Sequence, residues 1–390
     1  MRRSCWRNLA RGQQKPLILL LVASCGGSQG SDSIRASVSD SAGITRIDFE
    51  RLPTGPGAVR IAPEPDLELG GLRRGDSVEF DARSIYLNAA QLADGQIVVG
   101  DHTQLKYFDA VGRLIRVVGR KGFGPGEFSN IRLVCPQLDS SVLVVDDDRR
   151  WSRWDSMGRL VATFDGPGLV TNDGCSTAGH LLVRSNISDR AGAGHEGHVR
   201  QYDLFAADGR KHRALGEAAG ARYYGPIFFE PRFAVSERDW LIANPRRYEW
   251  YTQSFDTPPR QSRWTVHEAL REVTDREWDS LAFGRAPDGS SPEMRRRVIA
   301  SINAIGKPPH FPAYDRLRRD PEGRVWFSAN KVPGRWYVVD SGGRRLSMLD
   351  IPLRQDARPH LVNFVEGRVV IRHLDEQGSP RLSFFRVLSR

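Results

Sequence analysis

The sequence predicts an all-β chain folded as a six-bladed β-propeller, with a helical insertion between the fourth and fifth blades. Three observations carry this reading. A pattern of apolar strand, polar loop, second strand ending near Asp, Gly turn and further strand recurs along the chain. Where the copies are regular, equivalent strands lie at the roughly 40–50-residue spacing of propeller blades. Each copy is one small antiparallel sheet that cannot bury both faces alone, a problem that radial stacking of sheets solves. One interval, from Ile242 to Phe327, is too long for the repeat, and inside it the apolar spacing becomes helical.

The first element stands outside that body. Arg2, Arg3, Arg7, Arg11 and Lys15 form a basic stretch with no acidic residue, followed by Leu17-Ile18-Leu19-Leu20-Leu21-Val22-Ala23. A membrane-spanning helix needs about 20 apolar residues, so this run is too short for one and fits a signal-peptide core. It ends in Val22-Ala23-Ser24-Cys25, which resembles the bacterial lipobox of one aliphatic residue, two small ones and a cysteine. The resemblance implies that residues 1–24 are a signal peptide and that Cys25 carries a diacylglycerol thioether. Residues 25–40 then form the lipidated cysteine and a tether, since Gly26-Gly27-Ser28-Gln29-Gly30-Ser31-Asp32-Ser33 offers nothing to a core. Gly26, where Asp is absent, implies sorting to the outer membrane. Cleavage takes five positive charges from the formal +10 and leaves +5, almost all of it arginine. No nucleic-acid partner is expected from that balance.

Residues 41–390 make up the propeller. The first blade reads Gln96 to Asp101, Leu105 to Asp109, then Gly112 to Val118. The second reads Val142 to Asp146, Trp151 to Asp155 and Gly158 to Val161. In the third, Leu181-Leu182-Val183 precedes Val199 to Leu204 and Asp208-Gly209-Arg210, and the fourth pairs Trp240 to Ala243 with Tyr248 to Tyr251. The fifth runs Gly323 to Phe327, Trp336 to Asp340 and Gly342 to Leu346; the sixth runs Gly367 to Ile371 and Leu382 to Val387. Short apolar strands joined by Asp-Gly-type turns are hairpin signals.

The insertion spans residues 265–308. Thr274-Asp275-Arg276-Glu277 and Ser290-Ser291-Pro292-Glu293 both read as capping boxes, the second with Pro early in its helix. Met294, Val298, Ile302 and Ile305 fall on one helical face. A hidden seventh blade is the alternative, but the segment lacks β-branched runs. To close the ring, either Ile44 to Glu50 or Ser77 to Asp81 is expected to complete the sixth blade beside the C-terminal strands, removing a free sheet edge.

The most specific motif is Gly119-Arg120-Lys121-Gly122-Phe123-Gly124-Pro125-Gly126-Glu127-Phe128. Here the chain resembles NHL-repeat propellers, and in particular the six-bladed propeller lipoproteins of bacteria. In those, such a Gly-rich loop joins the outer strand of one blade to the inner strand of the next. The resemblance implies that Phe128 wedges between blades. With no Gly-Lys-Ser/Thr and no following helix, the loop is not read as a phosphate cradle.

Of four cysteines, Cys5 leaves with the signal and Cys25 is lipidated. Cys135 and Cys175 remain, at similar distances before the hairpins of adjacent blades, and are either a disulfide or two buried thiols. No nucleophile elbow, zinc-protease motif or Cys-x-x-Cys occurs, so no catalytic residue is assigned. His195-Glu196-Gly197-His198 sits in a Gly-rich loop where nothing fixes ligand geometry. His310 and His360 precede inner strands and are the remaining candidates for a metal, because amidating-lyase relatives of NHL propellers place histidines around the axis.

Loops between the second and third strands share one rim in propellers. They carry Arg149 and Arg150, Arg246 and Arg247, Lys331 and Arg335, and Arg372 and His373, with Trp151, Tyr248 and Trp336 nearby to stack. Together they would form a positive rim for an anionic ligand or an acidic envelope protein; alternatively, the arginines bridge blades. The expected function is a non-catalytic, cofactor-free binding module held to the membrane by its lipid. A lactonase-like hydrolase or lyase using a divalent metal over the channel is the alternative.

Overall fold

The computed structural model describes residues 32–389, except 72–77, 83, 85, 148–149, 167–168, 177–179, 189–197, 207, 225–226, 237, 287–288, 330–334, 355–356 and 358. The signal peptide, Cys25, Arg149, Lys331 and His195 lie outside the described residues, as does the side chain of His198. No described helix is long and apolar enough to cross a membrane.

Six antiparallel sheets form the blades. Their innermost strands are Asn88–Gln91, Ile131–Pro136, Leu169–Cys175, Arg232–Val235, Tyr314–Arg319 and His360–Val365. The inner strand of the first blade adjoins those of the second and the sixth. The second strand of each blade explains why its sequence is apolar without a break. In Val142–Asp146 every residue is buried. Val142 and Val144 face the cluster shared with the first blade, while Leu143 and Val145 face the cluster shared with the third. A period of two thus serves two interfaces, and both faces of the strand must be apolar. The same division places Val369 and Ile371 against the fifth blade and Val370 against the first.

Side-chain links fasten neighbouring blades near the centre. Asn88 donates from Nδ2 to the Arg132 carbonyl (3.2 Å) and accepts from the Val134 amide at 2.8 Å, joining the first blade to the second. Cys135 and Cys175 are disulfide-bonded, with Cα atoms 5.9 Å apart, joining the second to the third. Asp239 and Arg319 stand 2.7 Å apart between the fourth and the fifth.

Ring closure differs from the sequence expectation. Ile44–Phe49 does not reach the sixth blade; it adds in parallel to Gln261–Val266, the outer strand of the fourth. Ser77 lies outside the described residues, and Val78 to Asp81 form no strand. Closure falls instead to Leu67–Gly70 and Val59–Ile61, which pair antiparallel with the C-terminal strand Pro380–Ser389. Ile34–Arg35 covers the outer strand of the fifth blade. The segment 34–70 is therefore a belt over three outer edges, and alternation in Ile44–Phe49 signalled a strand without identifying its partner.

The chain holds two helices among the described residues, α1 (Asp275–Phe283) and α2 (Pro292–Ile305), which follow Gln261–Val266 and precede Tyr314–Arg319 in sequence. Thr274 and Glu277 form the expected capping box on α1. On α2 the cap is Ser291, one residue later than expected, accepting from the Met294 amide at 3.2 Å. Glu293 then lies too early to reach back, and pairs with Arg297 at 2.6 Å. Ile302 and Trp278 pack with Ile227 and Phe229, from the short last strand of the third blade's sheet. Met294 stays exposed.

The Gly-rich loop folds on itself. Arg120–Lys121 pairs in parallel with Glu127–Phe128, and Glu127 accepts from the Gly124 amide at 2.9 Å. Gly119 has φ +83°, and a Cβ there would sit 2.5 Å from the Phe128 ring, so glycine is required twice over. Phe128 is buried against Trp154, with centroids 5.6 Å apart, in the cluster between the first two blades.

Candidate functional site

Where inner strands meet at the axis, alternation leaves some side chains pointing away from the blade clusters. They enclose a cavity of about 80 Å³ whose lining includes Arg132, Arg316, Arg318, Arg319, Arg372 and His360. Among the described residues that line it there is no Asp or Glu. Arg132 pairs with Asp147 and lies over the Tyr86 ring, Arg319 stands beside Asp239, and Arg318 donates from Nη1 to the Leu317 carbonyl at 3.2 Å. Arg316 is only 3.8 Å from Asp315, itself more than half exposed. The Arg319–Asp239 pair is close enough for charge attraction, though its Nη1 lies out of line for a hydrogen bond. Arg372 Nε is buried with no hydrogen-bond partner among the described residues.

Burial shows in the titration of these groups. It pushes Arg318 down to about 10 and lowers Arg372 as well, and for Arg316 nearby Arg232 adds to the effect. His360 pairs with Arg372 across the first two strands of its blade. Burial and the guanidiniums of Arg316, Arg318 and Arg372 hold its imidazole down at about 2, so it is neutral at physiological pH. The site is rich in N–H donors and in positive potential. Among the described residues, no group of three or more His, Cys, Asp or Glu side chains is placed to hold a metal ion.

The axial cavity opens towards a larger depression of about 1070 Å³ between the fourth and fifth blades, sharing Cys175, Val235, Arg319 and Asn363 with it. There Arg260 is matched by Asp256 at 2.6 Å, so the depression does not extend the excess charge.

The residues singled out from sequence separate into two sets. Arg372 and His360 come together at the axis. Of the expected rim, Arg150, Arg335 and His373 are engaged elsewhere. Arg150 pairs with Asp146 at 2.9 Å and donates to the carbonyls of Glu127 (2.7 Å), Gly124 (3.2 Å) and Phe123, bracing the Gly-rich loop. Arg335 pairs with Asp350 at 2.9 Å. Arg246 and Arg247 are exposed in a turn of the fourth blade. His373 is buried and hydrogen-bonded through Nε2 with Ser383 at 2.8 Å. His310 bridges to Glu272 near the helices and does not line the axial cavity. Trp151, Tyr248 and Trp336 are core residues with no face left for stacking on a ligand. Positive charge collects at the axis, where the sequence reading had placed it on a rim.

Arg132, Arg316, Arg318 and Arg319 were missed. A signal existed: Ile131-Arg132-Leu133, Pro231-Arg232-Phe233 and Asp315-Arg316-Leu317 each place an arginine beside an apolar residue early in an inner strand. A charge inside an otherwise apolar strand of a closed ring has few places to go but the centre.

Comparison with solved structures places the fold. A protein of Bacteroides fragilis thought to be exported is 11% identical, with a TM-score of 0.50, covering 88% of this chain and 99% of its own. The architecture is shared. The β-propeller domain of Cps50 (Swd1) from Myceliophteria thermophila aligns with a TM-score of 0.38 at 10% identity, over 82% of this chain and 99% of that domain. No protein-family model matches the chain, and no curated protein does either.

Proposed function

We propose that this protein is a non-catalytic binding module of the bacterial cell envelope, whose propeller holds an anionic ligand at its axis. The observation that carries the reading is the convergence of five arginines on one cavity whose described lining has no carboxylate. Like charges crowded in a partly dry site raise one another's energy, and an anion relieves that cost. A divalent cation at the same place would face those guanidiniums, which is why binding is preferred to metal-assisted hydrolysis. The Gly119–Phe128 loop supports kinship with NHL-type propeller lipoproteins. The lipobox-like Val22-Ala23-Ser24-Cys25 supports a lipid anchor, with Gly26 favouring the outer membrane.

The test is thermal unfolding of the purified, dialysed protein with a panel of anions at matched ionic strength. Specific stabilisation by one or more anions, lost in Arg372→Gln, is expected. Equal melting in all of them would overturn the reading. Lipid attachment is tested separately by metabolic labelling with a radioactive fatty acid, which Cys25→Ala should abolish.

A further inference from the structure

We infer that the axial site takes a small tetrahedral oxyanion of the phosphate or sulfate class, held among the arginines of the ring. This rests on the anion-binding reading and adds the size and shape of the ligand.

Size comes first. About 80 Å³ is more than the roughly 30 Å³ share of one liquid water and far below the roughly 300–1,000 Å³ of a drug-sized ligand pocket, so the guest has only a few heavy atoms. A tetrahedral oxyanion has five heavy atoms. A nucleotide, a sugar acid or a stretch of polyanion would need the charge to continue outside the cavity. It does not, because Arg260 in the adjoining depression is matched by Asp256.

The second argument is the kind of contact left for a ligand. The two asparagines in the lining serve the frame: Asn88 Nδ2 donates to the carbonyls of Tyr86 and Arg132, and Asn363 Nδ2 to that of Ala89. Beside the Tyr86 hydroxyl, the lining offers guanidinium N–H and a neutral imidazole. Such a set suits a guest that presents acceptors on every side.

Direction is the third. Arg132 comes from the second blade, Arg316, Arg318 and Arg319 from the fifth, and Arg372 from the sixth. A planar carboxylate is satisfied by one guanidinium fork. Donors arriving from three blades match a guest with oxygens distributed in three dimensions. His360, kept neutral among these cations, adds a donor or an acceptor without adding charge.

The experiment is isothermal titration of the full-length protein, in mild detergent and chloride buffer of fixed ionic strength, with phosphate, sulfate, acetate and a long-chain polyphosphate. Phosphate or sulfate should bind at one site per chain, and acetate at least tenfold more weakly. Arg372→Gln should weaken the oxyanion tenfold or more, the effect of losing a charged hydrogen-bond donor. Arg246→Gln, on an exposed turn, should bind as wild type, and circular dichroism of both variants checks their folding. If polyphosphate binds in an Arg372-dependent way while phosphate and sulfate do not, the small-oxyanion inference fails and the anion-binding reading stands. If none of the four binds, both fall.

Discussion

The side-chain amide of Asn363 donates a 3.0 Å hydrogen bond to the carbonyl of Ala89, fastening the inner strand of the last blade to that of the first. Like the Asn88 clamp one blade further on, it crosses a blade junction where no backbone ladder exists. Asn363→Val should remove about 1 kcal/mol, the net value of one such bond. In urea this is a lower midpoint at unchanged slope. An unaltered midpoint would mean that closure rests on the outer strands alone.

The disulfide between Cys135 and Cys175 closes a loop with a sequence separation of 40. On the chain-entropy account such a cross-link contributes about 4 kcal/mol, chiefly by restricting the unfolded chain. The Cys135→Ser, Cys175→Ser double variant is expected to lose a large part of that. Non-reducing peptide mapping should show the pair joined in the wild type. Stability equal to the wild type would show that the apolar cluster around Cys135 suffices.

Arg150 holds the carbonyls of Phe123, Gly124 and Glu127 in the Gly-rich loop while pairing with the buried Asp146. Arg150→Met removes the brace together with the buried ion pair to Asp146, at a cost of about 3 kcal/mol. Phe123 already projects from the loop, 78% exposed. Chymotrypsin should therefore cut after Phe123 faster in the variant than in the wild type, before the rest of the chain is attacked.

His360 makes stability depend on pH. Its folded value lies near 2, below the ordinary 6.5, so the unfolded chain binds the proton more readily. The stabilisation is complete above pH 6.5 and is lost as the pH falls below it, by up to about 1.4 kcal/mol per unit from this group. Burial shifts His373 in the same direction, so His360→Gln should reduce the acid-side slope without abolishing it. Urea midpoints at pH 7.5, 6.5 and 5.5 measure this. A variant with the wild-type slope would place the proton-linked group elsewhere.

The blades were legible because each strand states its own environment. The unbroken run Val142-Leu143-Val144-Val145 requires apolar neighbours on both faces, and only stacked sheets supply them. The Thr274–Glu277 box could also be read locally, since both partners lie within one helical turn. Partner choice at the sheet edges was not legible. Ile44–Phe49 has the better strand pattern, yet Leu67–Gly70 closes the ring, because what decides is which outer edge lies near each segment once the disc has formed. The axial site was hidden for a related reason. Arg132, Arg316 and Arg372 are far apart in sequence, and their meeting is a property of the closed ring. The loop arginines drew attention by their turns, but Arg150 and Arg335 are consumed by aspartates within their own blades.

The belt of strands over residues 34–70 sets the order in which the molecule can be completed. Ile34 waits for Leu346, Ile44 for Gln261 and Leu69 for Leu382, partners that emerge roughly 200 to 300 residues later, so this part of the chain is made first and docked last. Until then it must remain extended without sticking to its neighbours, and the wholly exposed Ser37-Val38-Ser39-Asp40-Ser41 is polar enough to tolerate the wait.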